Sequence, residues 1–110
     1  MINFLVVDDV VANREILELI IDDYMEENNI NEENYTLLTA ENGKEAVDLV
    51  EQKTFDMIFL DIMMPVMSGF NALSLIREMK LEKQPIVVMA TALGDKLTKQ
   101  KEKQLGANAF

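Results

Sequence analysis

The sequence predicts an α/β fold in which helices cover a parallel sheet. Short apolar runs of the strand type alternate along the chain with longer segments whose apolar residues recur at helical spacing. Strands separated by helices in this way pair in parallel through right-handed crossovers. The 110 residues show no repeat, no low-complexity tract and no internal boundary, so we expect one domain spanning residues 1–110.

In the first half of the chain, two strand-type runs each lead into a helical pattern. The predicted elements are a strand at Ile2–Val7, a helix from about Val11 to Met25, a strand at Tyr35–Ala40 and a helix over residues 42–53. The first strand is a β-branched and aromatic run. The apolar residues that recur in the first helix are Ile16, Leu17, Ile20, Ile21 and Tyr24, and those on the inner face of the second are Ala46, Val47 and Val50. The polar, acidic residues 26–34 should form an exposed connection.

The second half repeats the alternation. The predicted elements are a strand at Asp56–Leu60, a helix from Phe70 to about Leu81, a strand over residues 86–91, a helix at Asp95–Leu105 and the beginning of a fifth strand at residues 107–110. The third strand is an apolar run, which is typical of a strand buried on both faces. The third helix should bury Leu73, Ile76 and either Met79 or the stem of Lys80. Pro85 opens the fourth strand, and Gly106 ends the fourth helix.

The composition excludes several classes of chemistry. The chain has no cysteine and no histidine, which removes disulfides, thiolate metal sites, histidine general bases and most zinc sites. Its net charge is −10, and 16 of its 20 acidic residues lie in residues 1–61. Direct nucleic-acid binding is therefore not expected. The basic stretch Lys96–Lys103 is either a solvated helix face or a surface for a partner. No segment resembles a signal peptide or a membrane span, so we expect a cytoplasmic protein without a membrane partner.

Three carboxylates and a hydroxyl should meet at one edge of the predicted sheet. Asp8 and Asp9 follow the first strand, Asp61 ends the third and Thr91 ends the fourth. Each of these residues alone fits ordinary turn or cap chemistry. Together they occupy the carboxyl ends of parallel strands, where such sheets bind ligands. An oxygen-only cluster suits Mg²⁺, and a carboxylate can act as a nucleophile that forms an aspartyl-phosphate. Asp61 is the candidate for that role, with the Thr91 hydroxyl donating to the incoming group.

Five segments of this chain resemble the receiver domain of two-component response regulators. They are FLVVDD (Phe4–Asp9), ENGKEAV (Glu41–Val47), DMIFLDIMMPVMSG (Asp56–Gly69), PIVVMATA (Pro85–Ala92) and LGANAF (Leu105–Phe110). The resemblance implies a doubly wound, flavodoxin-like sheet in strand order 2-1-3-4-5. It also implies a signalling phosphoacceptor rather than an enzyme, catalysing at most its own phosphorylation and dephosphorylation. The phosphoryl group would come from a sensor histidine kinase or a histidine phosphotransfer protein, and the signal would change the face formed by the fourth helix and the fifth strand.

The resemblance also implies a role for each site residue. Asp61 is the implied phosphoacceptor. The implied Mg²⁺ ligands are Asp8, Asp9, Asp61 and the backbone carbonyl of Met63, and the implied phosphate and switch residues are Thr91, Ala92 and Phe110. Asp9 would lie nearer the metal than Asp8, and the small Ala92 would leave room for the phosphate. Met63 and Leu93 would border the path of the hydrolytic water. Because both side chains are apolar and cannot orient that water, we expect slow hydrolysis.

The chain departs from the family pattern at its C-terminal end. The family's fifth strand continues to a lysine and then to a fifth helix, whereas this sequence stops at Phe110. We expect a receiver domain that is C-terminally incomplete, with one sheet face partly bare beside the first helix and available for self-association. Two alternatives stay open. One is a receiver-like interaction module that is not phosphorylated. The other is a Mg²⁺-dependent phosphatase with an aspartate nucleophile, although such enzymes usually carry a second Asp where this chain has Met63.

Overall fold

The computed structural model describes residues 1–61 and 66–90, where strands and helices alternate as predicted. The elements are β1 (Ile2–Val7), α1 (Val11–Glu27), a 3-10 helix (Glu32–Asn34), β2 (Tyr35–Ala40), α2 (Gly43–Gln52), β3 (Met57–Asp61), α3 (Gly69–Glu78) and β4 (Ile86–Ala90). The 3-10 helix falls within the stretch predicted as an exposed connection. The predicted fourth helix with its basic stretch Lys96–Lys103, Gly106 and the fifth strand lie outside the described residues.

The four strands form one parallel sheet in the order β2-β1-β3-β4. This order confirms the first four positions of the expected 2-1-3-4-5 arrangement. In the register of the sheet, Val7 pairs with both Ala40 and Leu60, and Leu60 pairs with Met89. The carboxyl ends of the four strands are therefore level, and the residues that follow them emerge at one edge.

The sheet buries side chains on both faces because helices pack on both sides. On one face, α2 and α3 cover alternate residues of three strands: Leu5, Val7, Ile58, Leu60, Val87 and Met89. On the other face, Ile21 and Met25 of α1 pack against Phe4 and Val6 of β1. Coverage on both faces explains why β1 and β3 are nearly continuous apolar runs instead of alternating ones.

The apolar residues of α1 divide into two groups, which corrects the reading of a single apolar face. Ile21 and Met25 are buried, and Leu17 packs against the same cluster. Ile16, Ile20 and Tyr24, which also recur at helical spacing, are exposed. Each member of this second row precedes a member of the first by one position, so it lies about 100° around the helix. Periodicity found the helix but could not determine which row faces the sheet.

The ends of α2 and α3 follow from local hydrogen bonds. The Asn42 side chain accepts from the Glu45 N–H at 2.9 Å, and the Ser68 hydroxyl accepts from the Asn71 N–H at 3.3 Å. These are N-cap interactions. The prediction that the third helix continues to Leu81 was wrong, since α3 ends at Glu78. The Gln84 side-chain amide donates to two carbonyls near this end, those of Ile76 and Met79, both at 3.1 Å. It thereby satisfies groups that another helical turn would have used.

An apolar groove runs beside α1 on the face that this helix covers. Its volume is about 500 Å³, and its lining includes Ile20, Tyr24, Met57, Phe59 and Ile86. α1 packs over β1, and in the described part of the chain the sheet beside it carries this groove. None of the described helices is long and apolar enough to cross a membrane.

Candidate functional site

The structure brings Asp8, Asp9 and Asp61 together at the carboxyl edge of the sheet. Asp8 follows Val7 of β1, and Asp61 follows Leu60 of β3. Since Val7 and Leu60 are register partners, the two aspartates emerge side by side. One carboxylate oxygen from each of the three aspartates lies within 4.8 Å of the other two. The convergence predicted from the strand ends is therefore present for these three residues.

Asp8 is held in place by hydrogen bonds along its whole length. Its side chain is buried, with 5% of the residue exposed. Its N–H donates to the Ala40 carbonyl at 3.1 Å, and its Oδ1 accepts from the Val10 N–H at 2.9 Å. Its carbonyl oxygen accepts from Arg14 Nη1 at 2.7 Å. A carboxylate buried to this extent requires such partners, and they give Asp8 one fixed orientation.

The other two aspartates have different surroundings. Asp9 is exposed, and Asp61 is partly buried at the end of β3. The stem of Asp61 thus belongs to a strand whose neighbours are core residues, while its carboxylate belongs to the acidic cluster. This arrangement resolves the apparent conflict of an acidic residue at the end of an apolar strand, because its charged group lies at the edge of the sheet.

The three carboxylates fit a hard divalent cation. At 4.8 Å, two unit negative charges repel by about 1 kcal/mol in water and by about 3.5 kcal/mol at an effective dielectric constant of 20. The attraction of each carboxylate to a cation bound among them outweighs this repulsion. The chain has no histidine or cysteine, so the site offers oxygen ligands, which Mg²⁺ prefers. Mg²⁺ usually keeps several water ligands as well, and Asp9 is the exposed member of the cluster.

Two residues near this site were not recognised from the sequence. Arg14 contacts the Asp8 carbonyl and lies 4.0 Å from Glu41 Oε1. Gly43 begins α2, and a Cβ built on it would lie 2.8 Å from the backbone oxygen of Met67 and 3.0 Å from its Cβ. Arg14 follows Asp8 by six residues, and Gly43 and Met67 are far apart in the chain. No spacing rule would have connected them.

Asp56, at the opposite end of β3, shows how an acidic residue with a structural role differs from Asp61. Its carboxylate accepts from Lys83 Nζ and from the Asn3 N–H, both at 2.8 Å. The hydrogen bond from Lys83, with that from Asn3, lowers the pKa of Asp56 below its usual value. The Asp56 carboxylate thus connects β1 and the segment before β4 to the start of β3, and it does not belong to the acidic cluster.

The remaining predicted site residues cannot be placed. Met63, Thr91, Ala92, Leu93 and Phe110 lie outside the described residues, so their roles stay predictions. The described part of the site consists of the acidic pair after β1, Asp61 at the end of β3 and the neighbouring residues that support them.

Comparison with known proteins relates this geometry to a family. The family model for the response regulator receiver domain matches residues 4–110. A probable transcriptional regulator, ycf27 of Guillardia theta, is 32% identical over 106 residues, and the match covers 96% of this chain but 37% of that protein. The chain therefore spans well under half the length of this relative.

Three solved structures are similar to the chain. Chemotaxis protein CheY4 of Vibrio cholerae has a TM-score of 0.83 at 29% identity, with 99% of this chain and 83% of that chain covered. A chain of a CheX-CheY-BeF3-Mg²⁺ complex from Borrelia burgdorferi has a TM-score of 0.80 at 32% identity, with 97% of this chain and 74% of that chain covered. A co-crystal structure from Saccharomyces cerevisiae contains the phosphotransfer protein Ypd1 and the receiver domain of Ssk1. The matching chain has a TM-score of 0.72 at 30% identity, with 98% of this chain and 75% of that chain covered.

Proposed function

This chain belongs to the response regulator receiver domain family, and we propose that it accepts a phosphoryl group on Asp61 in a two-component phosphorelay. The observation that supports the proposal most directly is the meeting of Asp8, Asp9 and Asp61 at the carboxyl edge of the sheet, with ligand oxygens within 4.8 Å of one another. Asp61 ends the inner strand β3 and is partly buried there. We also propose that residues 1–110 form one receiver unit.

The proposed reaction is a transfer between two side chains. A carboxylate oxygen of Asp61 attacks the phosphorus of a phosphohistidine on the donor protein. A P–O bond forms, the P–N bond breaks, and the imidazole leaves with the bonding electron pair and takes up a proton. The product is an acyl phosphate on Asp61. A sensor histidine kinase or a histidine phosphotransfer protein is the proposed donor. Receiver domains pair with such proteins, as in the Ypd1–Ssk1 complex.

Asp8, Asp9 and Asp61 would hold Mg²⁺, and we propose the Met63 carbonyl as a further ligand. When bound, Mg²⁺ offsets the negative charge that gathers on the phosphoryl oxygens during transfer. The receiver family binds Mg²⁺ at its acidic site, and a similar chain was solved in a CheX-CheY complex with BeF3 and Mg²⁺. In this chain, Asp8 supplies the fixed and buried side of the site, while Asp9 supplies the side that faces solvent.

The residues outside the described part of the chain complete the proposal. The Thr91 hydroxyl donates to the phosphoryl group, Ala92 leaves space for it, and Phe110 changes position with phosphorylation. Met63 and Leu93 border the path of the hydrolytic water. The chain acts as a signalling domain that catalyses at most its own phosphorylation and dephosphorylation, in the cytoplasm and without direct contact with nucleic acid.

We also propose that the groove beside α1 supports self-association. Its lining is apolar, and the exposed Ile20, Tyr24 and Ile86 contribute to it. Sedimentation at increasing protein concentration tests this part. A parent that associates while Ile20→Glu stays monomeric would support it, and a parent that is monomeric throughout would refute it.

Phosphorylation is tested by exposing the protein to a small phosphodonor with Mg²⁺. We expect labelling of the parent and of Asp48→Asn, a control at an exposed position of α2, and none of Asp61→Asn. Labelling that persists in Asp61→Asn would refute the assignment. Failure to label the parent would favour the unphosphorylated interaction module. Steady turnover of small phosphoesters would favour the phosphatase.

A further inference from the structure

Arg14 is placed to act on the acidic site without belonging to it. It lies in the first turns of α1, and its side chain is only 11% exposed. Nη1 donates to the carbonyl oxygen of Asp8 at 2.7 Å, while Nη2 lies 4.0 Å from the carboxylate of Glu41. The 2.7 Å contact is to the backbone of Asp8, which follows β1, and the 4.0 Å contact is to Glu41, which follows β2. The guanidinium thus joins the loops that follow two neighbouring strands.

The peptide that Arg14 contacts is the one joining Asp8 to Asp9. Because a peptide unit is planar, holding the Asp8 carbonyl oxygen also sets the plane in which the Asp9 N–H and Cα lie. The preceding peptide is already held, since the Asp8 N–H donates to the Ala40 carbonyl at 3.1 Å. The Asp8 side chain is held by the Val10 N–H at 2.9 Å. Arg14 therefore supplies the contact that orients the backbone between the two carboxylates.

The charge of Arg14 and its hydrogen bond have opposite effects on cation binding. A guanidinium near the carboxylates repels a divalent cation, so its charge alone would weaken Mg²⁺ binding. Its hydrogen bond holds two of the ligands in position before the cation binds. This strengthens binding because less conformational entropy of the ligands is lost. Removing the side chain therefore distinguishes the two roles. Mg²⁺ affinity should rise if the charge dominates and fall if the hydrogen bond dominates.

We propose that Arg14 is a positioning residue of the acidic site, which fixes the peptide between Asp8 and Asp9 and thereby the arrangement of both carboxylates for a divalent cation. This inference rests on the proposed function for the identity of the cation. The positioning itself rests on the contacts of Arg14 with Asp8 and Glu41.

The first test is the Mg²⁺ affinity measured by calorimetry at constant ionic strength. Arg14→Met keeps the length of the side chain and removes its donors, and we expect it to weaken binding by about tenfold, as for other residues that orient metal ligands. Arg14→Lys retains one donor and should recover part of the loss. Arg77→Met is the matched control, because Arg77 Nη1 also donates to a backbone carbonyl, that of Pro85 at 2.8 Å, at the opposite edge of the sheet. Unchanged or tighter binding by Arg14→Met would overturn the inference.

The second test uses the metal-free protein and does not depend on the proposed function. Amide hydrogen exchange at Asp8 and Val10 is compared with exchange in the middle of β1. We expect Arg14→Met to accelerate exchange at these two amides selectively, and Arg77→Met to leave them unchanged. An equal acceleration throughout β1 would show a general loss of stability and would overturn the inference. If the parent binds no Mg²⁺ but the selective effect appears, the proposed metal site fails and the positioning role stands.

Discussion

Val7 of β1 and Leu60 of β3 are partners in parallel register, and this pairing places Asp8 beside Asp61. A slip of one residue would turn every β1 side chain to the other face of the sheet. The slip would turn Leu5 toward α1 and Val6 toward α2 and α3, and it would also move Asp8 away from Asp61. The packing of the core and the assembly of the site therefore depend on the same register, which links the stability of the fold to the chemistry at its edge.

The first prediction concerns Asp9 as a metal ligand. Asp9→Asn should weaken Mg²⁺ binding by about tenfold or more, because it removes one of the clustered negative charges. Asp9 is exposed, so the fold should tolerate the change. The Mg²⁺ affinity of the variant is compared with those of the parent and of Asp48→Asn, an exposed acidic residue on α2. Equal affinities for the three proteins would remove Asp9 from the site.

The second prediction concerns the lifetime of the phosphorylated state. Met63→Asn should accelerate loss of the phosphoryl group from Asp61, because an amide can orient a water molecule that a thioether side chain cannot. Phosphate release from the labelled parent and variant is the measurement, with unfolding curves to establish that both are folded. Release that is unchanged or slower in Met63→Asn would contradict the role given to this position.

The third prediction concerns the close contact between α2 and the segment that follows β3. Gly43→Ala places a Cβ 2.8 Å from the Met67 carbonyl oxygen, closer than such atoms approach without a shift of the backbone. We expect a loss of about 1–3 kcal/mol in the free energy of unfolding, measured in urea. Lys44→Ala, at the next and exposed position of the same helix, is the control. An unchanged free energy of unfolding in Gly43→Ala would show that the backbone at Met67 shifts away from the new Cβ without loss of stability.

The fourth prediction concerns backbone strain at Val66. This residue is 78% exposed and has a φ of 68°, in the left-handed region that β-branched residues avoid. Val66→Gly should raise the free energy of unfolding by about 0.5–1 kcal/mol, since relief of the strain exceeds the entropy that glycine loses on folding. Asn29→Gly is the comparison, because Asn29 has a φ of 60° but is a residue type that tolerates this region. A gain at Asn29 as large as that at Val66 would argue against strain specific to the branched side chain.

The fifth prediction concerns pH. The hydrogen bonds from Lys83 and Asn3 lower the pKa of Asp56 in the folded protein below its ordinary value of 3.8. A lowered carboxyl pKa contributes stability that is present above the unfolded value and is lost as the pH falls through the folded one. Asp56→Asn should therefore be less stable than the parent at neutral pH, and the difference should shrink as the pH falls below about 4.

Urea unfolding of Asp56→Asn and the parent at neutral and acidic pH measures this difference. Asp48→Asn serves as the control, and its stability should follow that of the parent at both pH values. A gap between Asp56→Asn and the parent that stays constant with pH would mean that the carboxylate charge does not contribute.

Local pattern and residue type determined much of this protein. The alternation of strand and helix periods specified the parallel sheet, and the bounds of β1 and β2 agree with those predicted. The placement of Asp8, Asp9 and Asp61 at strand ends was enough to predict that they meet, because the carboxyl ends of parallel strands share one edge. The N-cap of α2 is also a local feature, because the Asn42 side chain accepts from the N–H of Glu45, three residues later.

Other features were decided only by the tertiary structure. Two apolar rows run along α1, and contact with β1 buries the row that contains Ile21 and leaves Ile20 exposed. α3 ends at Glu78, and the side-chain amide of Gln84, beyond the helix, donates to the carbonyls of Ile76 and Met79. Arg14 reaches Asp8, and Gly43 meets Met67, across separations that no period relates. Periodicity reports which residues share an element, whereas the packing of one element on another decides which atoms touch.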